Sequence, residues 1–383
     1  MRLNPVVEAM RTYPFVRIDE AKNRVRERGV ELIDFGMGEP REKTPPFIRR
    51  ALAEAVEAHP VSTYPLSVGL PGLREAIAAW VERRYGAALD PGIEVIPTLG
   101  SKEAIFHLAQ VVGRPGDAVG VPTPAYPVPA RGAALAGLDV IEVPLRAEHG
   151  WLPDPAGVPW ERLALLWLNS PNNPTGSVAP LALLEELAAR CREHDVLLAC
   201  DEAYSELWFG ERPPPSGLQL ADRTNVAVFN TLSKRSSMPG YRSGFVAGDP
   251  ALIAALKRFR PSIGTAPQEF VQRASIAAWS DEEHVTETRE RYAAKREVML
   301  PAFARLGLEH VGGDASFFLW LRVPDGDDEA LATRLLEDLG VVVTPGSYLG
   351  AGGEGHVRAA LVPTLENCRR AAALLADTAA SRA

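Results

Sequence analysis

The feature that most constrains the fold is a series of short, mostly apolar runs in the middle of the chain, separated by stretches with helical periodicity. The runs cover residues 118–121, 140–143, 163–168, 196–200, 226–229 and 245–247. Strands that are apolar at nearly every position are typical of a sheet covered by helices on both faces. The sequence therefore predicts an α/β fold with a mostly parallel sheet.

The pattern changes after Pro261, which suggests two domains. We expect a large α/β domain over residues 45–260, and a smaller α+β domain made of residues 1–44 and 261–383. Periodicity predicts helices at 46–58 (with Thr44 as its N-cap), 72–85, 101–112, 180–194, 282–306 and 328–339. It predicts further strands at 93–99, 317–323 and 356–361.

Composition excludes several classes of function. The 383 residues carry a net charge of −8, which argues against a nucleic-acid partner because such proteins need clustered Lys and Arg. No window approaches the roughly 20 apolar residues of a membrane span, so we expect a cytoplasmic protein with no membrane contact. The three cysteines lack metal-ligand spacing, and we expect no metal site.

Polar residues follow four of the predicted strands. Residues 100–102 (GSK), 169–176 (NSPNNPTG), 201–204 (DEAY) and 230–234 (NTLSK) come directly after apolar runs. Taken singly, each has a structural explanation, because Asn-Pro and Thr-Gly favour turns and Ser or Asp can cap a helix. Ligands of open α/β sheets, however, bind beyond the carboxyl ends of the strands, so we look for chemistry there.

Together these segments fit one chemistry. Lys234 is one of six lysines and follows an apolar strand, and an amine in that position can form a Schiff base with an aldehyde cofactor. Arg242 in a glycine-containing loop suits a phosphate, as do the free N–H groups of a helix that begins near Ser101. Asp201 is the candidate acid beside a pyridine nitrogen. The pattern indicates pyridoxal 5′-phosphate.

The chain resembles the class I/II aminotransferases, which have the aspartate-aminotransferase fold. The resemblance runs from the segment 36–40 (GMGEP) to Arg358. Motifs at five separate places in the sequence occur in the same order as in the family. It implies a fold type I pyridoxal-phosphate-dependent transferase, with a mostly parallel sheet in the large domain and a smaller α+β domain. It also implies a homodimer whose partners are small-molecule substrates, an amino acid and a 2-oxo acid, with no nucleic acid or membrane.

The resemblance implies a role for each cofactor-binding residue. Lys234 would hold the cofactor as a Schiff base and then act as general base, and Asp201 would pair with the ring nitrogen. Tyr204 and Asn173 would hydrogen-bond the ring hydroxyl, and Tyr126 would stack on the ring. The phosphate would be bound by a further set, in which Lys102 contributes through its backbone and Tyr64 comes from the neighbouring subunit: Gly100, Ser101, Lys102, Thr231, Arg242 and Tyr64.

The substrate-binding residues follow from the same resemblance. Arg358 would clamp the substrate α-carboxylate, with Asn173 and the backbone of Gly38; the alternative for Arg358 is a structural salt bridge. Phe15, in the segment 13–15 (YPF), would lie at the pocket mouth. Arg260 would bind a distal carboxylate of the substrate across the subunit interface. The alternative is that Arg260 belongs to a solvated basic cluster at a helix end.

The expected reaction is a ping-pong transfer of an amino group from an amino acid to 2-oxoglutarate. The C-terminal third resembles N-succinyldiaminopimelate aminotransferases of bacterial lysine biosynthesis at 266–279, 281–285, 291–295 and 345–349, so N-succinyl-LL-2,6-diaminopimelate is the expected donor. Alternatives stay open, because function depends on the site and not on the fold. They are an LL-diaminopimelate, aspartate or broad-range aminotransferase, and a pyridoxal-phosphate-dependent carbon–sulfur lyase.

Overall fold

The structure, a computed structural model, describes residues 1–9 and 15–380. Its helices are α1 Pro5–Ala9, α2 Phe15–Glu27, α3 Pro46–Ala58, α4 Pro71–Tyr85, α5 Gly100–Val112, α6 Val128–Leu135, α7 Leu181–Glu193, α8 Leu232–Arg235, α9 Pro250–Phe259, α10 Glu269–Trp279, α11 Glu283–Ala304, α12 Asp328–Leu339 and α13 Leu365–Ala380. Its strands are β1 Ile33–Asp34, β2 Val95–Thr98, β3 Ala118–Thr123, β4 Asp139–Pro144, β5 Leu163–Asn169, β6 Leu197–Asp201, β7 Val226–Thr231, β8 Gly244–Gly248, β9 Glu309–His310, β10 Phe318–Arg322, β11 Val341–Val342, β12 Thr344–Pro345 and β13 His356–Ala360.

A seven-stranded sheet forms the centre of the molecule, in the order β2-β8-β7-β6-β5-β3-β4. The five strands from β7 to β4 are parallel to one another, which confirms the predicted α/β class with a mostly parallel sheet. The run at 245–247 is the exception, because β8 is antiparallel to both β2 and β7. No described helix is long and apolar enough to cross a membrane.

Two separate apolar clusters explain why the central strands are buried on both faces. On one face, Trp80 of α4 lies between Phe245 and Trp279, with ring centroids 6.0 and 4.6 Å away. On the other face, α5, α6 and α9 pack through residues such as Leu108 and Ile253. Each strand therefore contributes apolar side chains in both directions, which is the physical origin of the continuous apolar runs.

A second core lies around a small antiparallel sheet, in the order β12-β13-β10-β9. The long helices α11 and α13 pack against each other here, and β1 pairs in parallel with β11. Phe35, Tyr292 and Phe317 are fully buried in this core, so the segment that follows β1 packs with residues from the last third of the chain. This is the arrangement expected of a smaller α+β domain. The division at residues 45 and 260 stays a prediction.

One predicted helix cap is wrong. Helix α3 has the predicted bounds, but Pro45 is at the N-cap position and no side chain caps the helix. Thr44 instead donates its hydroxyl to the carbonyl oxygen of Ser237, 2.6 Å away. Sequence-based capping rules consider only local partners, whereas this hydroxyl bonds a residue that is 193 positions further along the chain.

We predict that Trp80→Ala lowers the free energy of unfolding by about 3–5 kcal/mol, because it opens a cavity between the rings of Phe245 and Trp279 that cannot fully close. Ile93→Ala, at a position that is half exposed, should change it by less than about 0.5 kcal/mol. Denaturant unfolding followed by tryptophan fluorescence and by circular dichroism measures both. Equal losses for the two variants would contradict this description of the core.

Candidate active site

The predicted site residues meet at one edge of the central sheet because of the strand register. Asn169, at the end of β5, pairs with Asp201, at the end of β6. Strand β7 runs parallel to β6 and ends at Thr231. Because β8 is antiparallel, its first residue, Gly244, lies at this same edge and pairs with both Thr231 and Thr98 of β2. Arg242, two residues before β8, is thereby brought beside the start of α5.

The start of α5 and Arg242 form a cradle for an anion. Arg242 donates from Nη2 to the carbonyl oxygen of Leu99 at 3.0 Å and from Nη1 to that of Pro239 at 2.7 Å. Gly100 has a φ of +68°, and a Cβ there would lie 2.5 Å from Arg242 Nη2, so only glycine allows this approach. A helix N-terminus beside a guanidinium offers N–H groups and positive charge to a phosphate.

The other predicted phosphate residues differ in exposure. Thr231 is buried; its Oγ1 caps α8 by accepting from the backbone N–H of Ser233 and donates to the carbonyl oxygen of Ser243 at 3.0 Å. Ser101 is buried, whereas the side chain of Lys102 is exposed and places its Nζ 5.6 Å from the ring centroid of Tyr126. The side chain of Lys102 therefore lies over Tyr126, which agrees with a contact to the phosphate through its backbone only.

Lys234 is held in a pocket of aromatic rings just after β7. Its Nζ donates to the carbonyl oxygen of Gly38 at 2.7 Å and lies 5.4 Å and 5.7 Å from the ring centroids of Phe317 and Tyr204. The pKa of this amine is lowered to about 8, mainly by burial; the charge of Glu39 opposes the shift, and the charges of Arg358 and Arg242 add to it. A substantial neutral fraction near neutral pH makes the amine a nucleophile and a base.

Asp201 and Tyr204 lie in the same buried region but differ in protonation state at neutral pH. Burial raises the pKa of the Asp201 carboxyl to about 6, so it is mostly ionised at neutral pH, and it accepts the backbone N–H of Ala203 at 3.2 Å. Burial also raises the pKa of the Tyr204 phenol, so that it stays protonated and can donate a hydrogen bond. An ionised carboxylate suits a protonated pyridine nitrogen.

Arg358 lies where the central sheet meets the second core. It donates from Nη1 to the side-chain oxygen of Asn173 at 2.8 Å and from Nη2 to the carbonyl oxygen of Gly36 at 2.7 Å. Its guanidinium lies 4.5 Å from the ring centroid of Phe318, and a Cβ at Gly38 would come within 2.8 Å of that same ring. The predicted carboxylate-binding set of Arg358, Asn173 and Gly38 is thus brought together.

Two residues that the sequence analysis did not assign to the site help to build it. Asn169 accepts the backbone N–H of Asn173 at 2.7 Å and donates to the carbonyl oxygen of Asp201 at 2.9 Å, so it joins the loops after β5 and β6. Phe318 supports both Gly38 and Arg358, although its sequence context indicates only a strand. The position of Asn169 at the start of the 169–176 motif could have indicated its role in the site. No sequence pattern around Phe318 indicates such a role.

Two predicted site residues, Tyr64 and Arg260, are not brought to this group, and a third lies outside the described side chains. Tyr64 is fully exposed. Arg260 is only 1% exposed and pairs with Glu103 at 2.7 Å, so the alternative of a solvated cluster is wrong for this residue; its role across a subunit interface stays a prediction. Tyr13 and Pro14 lie outside the described residues, and so does the side chain of Phe15. Within residues 1–9 and 15–380 no group of His, Cys, Asp and Glu could hold a metal ion.

Comparison with known proteins identifies the family. The family model for aminotransferase class I and II matches residues 30–375. The chain belongs to that family, and it is a pyridoxal-phosphate-dependent aminotransferase. The residues present fit the cofactor, because the edge of the sheet supplies an amine at Lys234, a carboxylate at Asp201 and an anion cradle at Gly100 and Arg242.

Three relatives show how similar the chain is to known members. The LL-diaminopimelate aminotransferase of Nitratidesulfovibrio vulgaris strain DP4 is 40% identical over 364 residues, which cover 93% of each chain. A structure of a probable N-succinyldiaminopimelate aminotransferase from Thermus thermophilus is 36% identical with a TM-score of 0.88, covering 95% of this chain and 99% of that one. A double mutant of the aspartate aminotransferase from the same organism is 33% identical with a TM-score of 0.90, covering 98% and 100%.

We predict that the free amine of Lys234 titrates near pH 8 in the chain without cofactor. Only the neutral amine reacts with acylating reagents, so the rate of its modification should rise with pH and reach half its maximum near pH 8. In denaturant the same lysine should react with the ordinary midpoint of about 10.4. Peptide mass spectrometry after short pulses of reagent measures both rates. A midpoint in the folded chain equal to that in denaturant would contradict the burial of this amine.

Proposed function

We propose that this protein is an LL-diaminopimelate:2-oxoglutarate aminotransferase. The observation that carries the proposal is the identity of 40% with a relative of that name along 93% of both chains. The N-succinylated donor expected from the sequence has weaker support, because the neighbour of that description is 36% identical. We therefore favour the unmodified LL-diaminopimelate, which was an alternative in the sequence analysis.

The residues at the sheet edge have separate tasks in this reaction. The cofactor, when bound, supplies an electron sink that acidifies the α-carbon of the amino acid. Lys234 takes the proton from that α-carbon, and a pKa near 8 is close to the operating pH that favours a general base. Asp201 holds a proton on the ring nitrogen, and Arg242 with the start of α5 holds the phosphate.

The substrate would be held at both ends. Arg358, with Asn173 and Gly38, would bind the α-carboxylate as a bidentate partner. Two exposed charges of opposite sign belong to segments of the site: Glu39 follows Gly38, and Lys102 lies over Tyr126. The distal end of LL-diaminopimelate carries an ammonium and a carboxylate, whereas the succinylated compound carries only carboxylates there. One charge of each sign beside the site would suit the unmodified donor better.

A second copy of the chain would complete the site. Val61, Tyr64 and Leu66 are apolar or aromatic and are 77%, 100% and 71% exposed. Three such residues within one loop favour burial in an interface. We propose a homodimer in which Tyr64 of one subunit reaches the phosphate cradle of the other.

A panel of amino donors with 2-oxoglutarate tests the substrate. We expect glutamate to form fastest from LL-diaminopimelate, with a kcat/KM at least about tenfold above those for N-succinyl-LL-diaminopimelate and aspartate, which corresponds to about 1.4 kcal/mol. Lys234→Ala should lower the rate by about 10³-fold or more, because no other group takes the α-proton.

Two results would contradict the proposal. A preference for the succinylated donor, for aspartate or for an aromatic donor would remove the assigned substrate while leaving the aminotransferase class intact. Release of pyruvate and ammonia from cystathionine, without glutamate formation, would indicate carbon–sulfur lyase chemistry.

A complementation experiment tests the dimer. Lys234→Ala and Tyr64→Ala chains are each expected to be impaired, but a mixed dimer has one site with both native residues if Tyr64 acts on the partner subunit. Unfolding and refolding an equal mixture should then restore about a quarter of native activity, since half of the dimers are mixed and each holds one intact site. If Tyr64 acts within its own chain, mixing restores nothing.

A further inference from the structure

The short turn after Lys234 is fastened to the junction between α10 and α11. Arg235, only 1% exposed, donates from Nη1 to the carbonyl oxygen of Ala278 at 3.0 Å and from Nη2 to Glu282 at 2.9 Å. Its guanidinium lies between the rings of Trp80 and Trp279, 5.4 and 4.7 Å from their centroids. The residue next to the site lysine is therefore immobilised by the core.

The next residue, Ser236, takes part in a hydrogen-bonded chain that is buried at Ser236 and His284 and reaches the half-buried Asp281. Its Oγ lies 2.9 Å from Nε2 of His284, and Nδ1 of His284 lies 2.5 Å from Oδ1 of Asp281. Asp281 is acceptor only when ionised, so Nδ1 carries the hydrogen and Nε2 accepts the hydroxyl proton of Ser236. Burial and the charge of Arg235 lower the pKa of His284, which favours this neutral form.

The chain of Ser236, His284 and Asp281 has the residue types of a hydrolytic triad, but its burial excludes that role. Ser236 is completely buried and His284 is 5% exposed, so no substrate carbonyl could reach the hydroxyl. Its effect must pass through the backbone. Ser236 lies two residues after Lys234, and its backbone N–H closes α8 by donating to the carbonyl oxygen of Leu232 at 3.1 Å.

The backbone between Lys234 and Arg242 needs such support. Ser237 and Arg242 have φ angles of +50° and +53°, which non-glycine residues adopt only when their surroundings hold them there. The segment carries the candidate Schiff-base lysine at one end and the candidate phosphate ligand at the other. A side chain that fixes its middle therefore affects where both groups lie.

We propose that His284 is a positioning residue for Lys234, because its hydrogen bond to Ser236 holds the turn in which the amine bonds Gly38. The inference rests on the role of Lys234 in the proposed function, and it is independent of which amino acid is the donor. His284 touches neither substrate nor cofactor in this assignment. Its contribution is to keep Lys234 in place, and Asp281 contributes by fixing the tautomer of His284.

Two amide variants of His284 separate this role from simple packing. His284→Gln places an amide near the position of Nε2, where it can still bond Ser236, whereas His284→Asn places one near Nδ1 and leaves Ser236 without that partner. Ser236→Ala removes the same bond from the other side. Thr288→Val is the matched control, because Thr288 is equally buried one turn further along α11 and its hydroxyl donates to the backbone carbonyl oxygen of His284 at 2.7 Å, not to the ring or to Ser236.

The readout is the pH dependence of Lys234 acylation in the full chain without cofactor, followed by peptide mass spectrometry. We expect His284→Asn and Ser236→Ala to raise the midpoint by about one pH unit or more, as the amine gains access to water. His284→Gln and Thr288→Val should keep the native midpoint near pH 8. In the holoenzyme, the first two variants should lower kcat by about tenfold to a hundredfold, with KM for the donor changed less than about twofold.

The proposal is overturned if the Asn and Gln variants shift the midpoint equally, or if neither variant shifts it. In both cases His284 would serve packing alone. Failure of the proposed function has a different signature: a Lys234→Ala chain that keeps its activity. The midpoint comparison would then still report whether His284 controls the environment of this amine.

Discussion

The site depends on removing one amine from most of its contact with water. A charged ammonium loses hydration when it is buried, so the pKa of Lys234 falls to about 8 and its neutral form becomes accessible. The free-energy cost of this lost hydration lowers the pKa only if the surrounding chain is rigid enough to prevent the flexible side chain from reaching solvent. Strand β7 holds Lys234 from one side, the anchored turn that follows it holds it from the other, and Gly38 accepts its hydrogen bond.

Strand topology then decides which groups meet this amine. The parallel ladder from β5 to β7 places Asn169, Asp201 and Thr231 at one edge. The antiparallel β8 brings the segment of Arg242 to that edge as well, so anion-binding groups lie at one end of the site and an acid at the other. Such a separation would suit a cofactor that carries a phosphate arm and a ring nitrogen at different positions of its ring.

The residues expected to bind the substrate carboxylate come from both cores of the molecule. Asn173 follows a strand of the central sheet, Arg358 belongs to β13 of the small sheet, and Gly36 follows β1. A carboxylate bound by Arg358 would therefore contact both parts of the molecule. The site of a small substrate at the junction of two packed units is a common arrangement in enzymes.

The sequence by itself determined the seven strands of the central sheet, two strands of the small sheet, six of the helices and the residue types at the strand ends, because apolar runs report burial and Gly, Pro and Asn report backbone conformation. It also placed Lys234, Asp201 and Arg242 in one site through their motifs. It did not determine the direction of β8, the partner of Arg260 or the bond between Ser236 and His284, which are 48 residues apart. Those features depend on strand register and helix packing, which bring distant side chains within hydrogen-bonding distance and leave no local pattern in the chain.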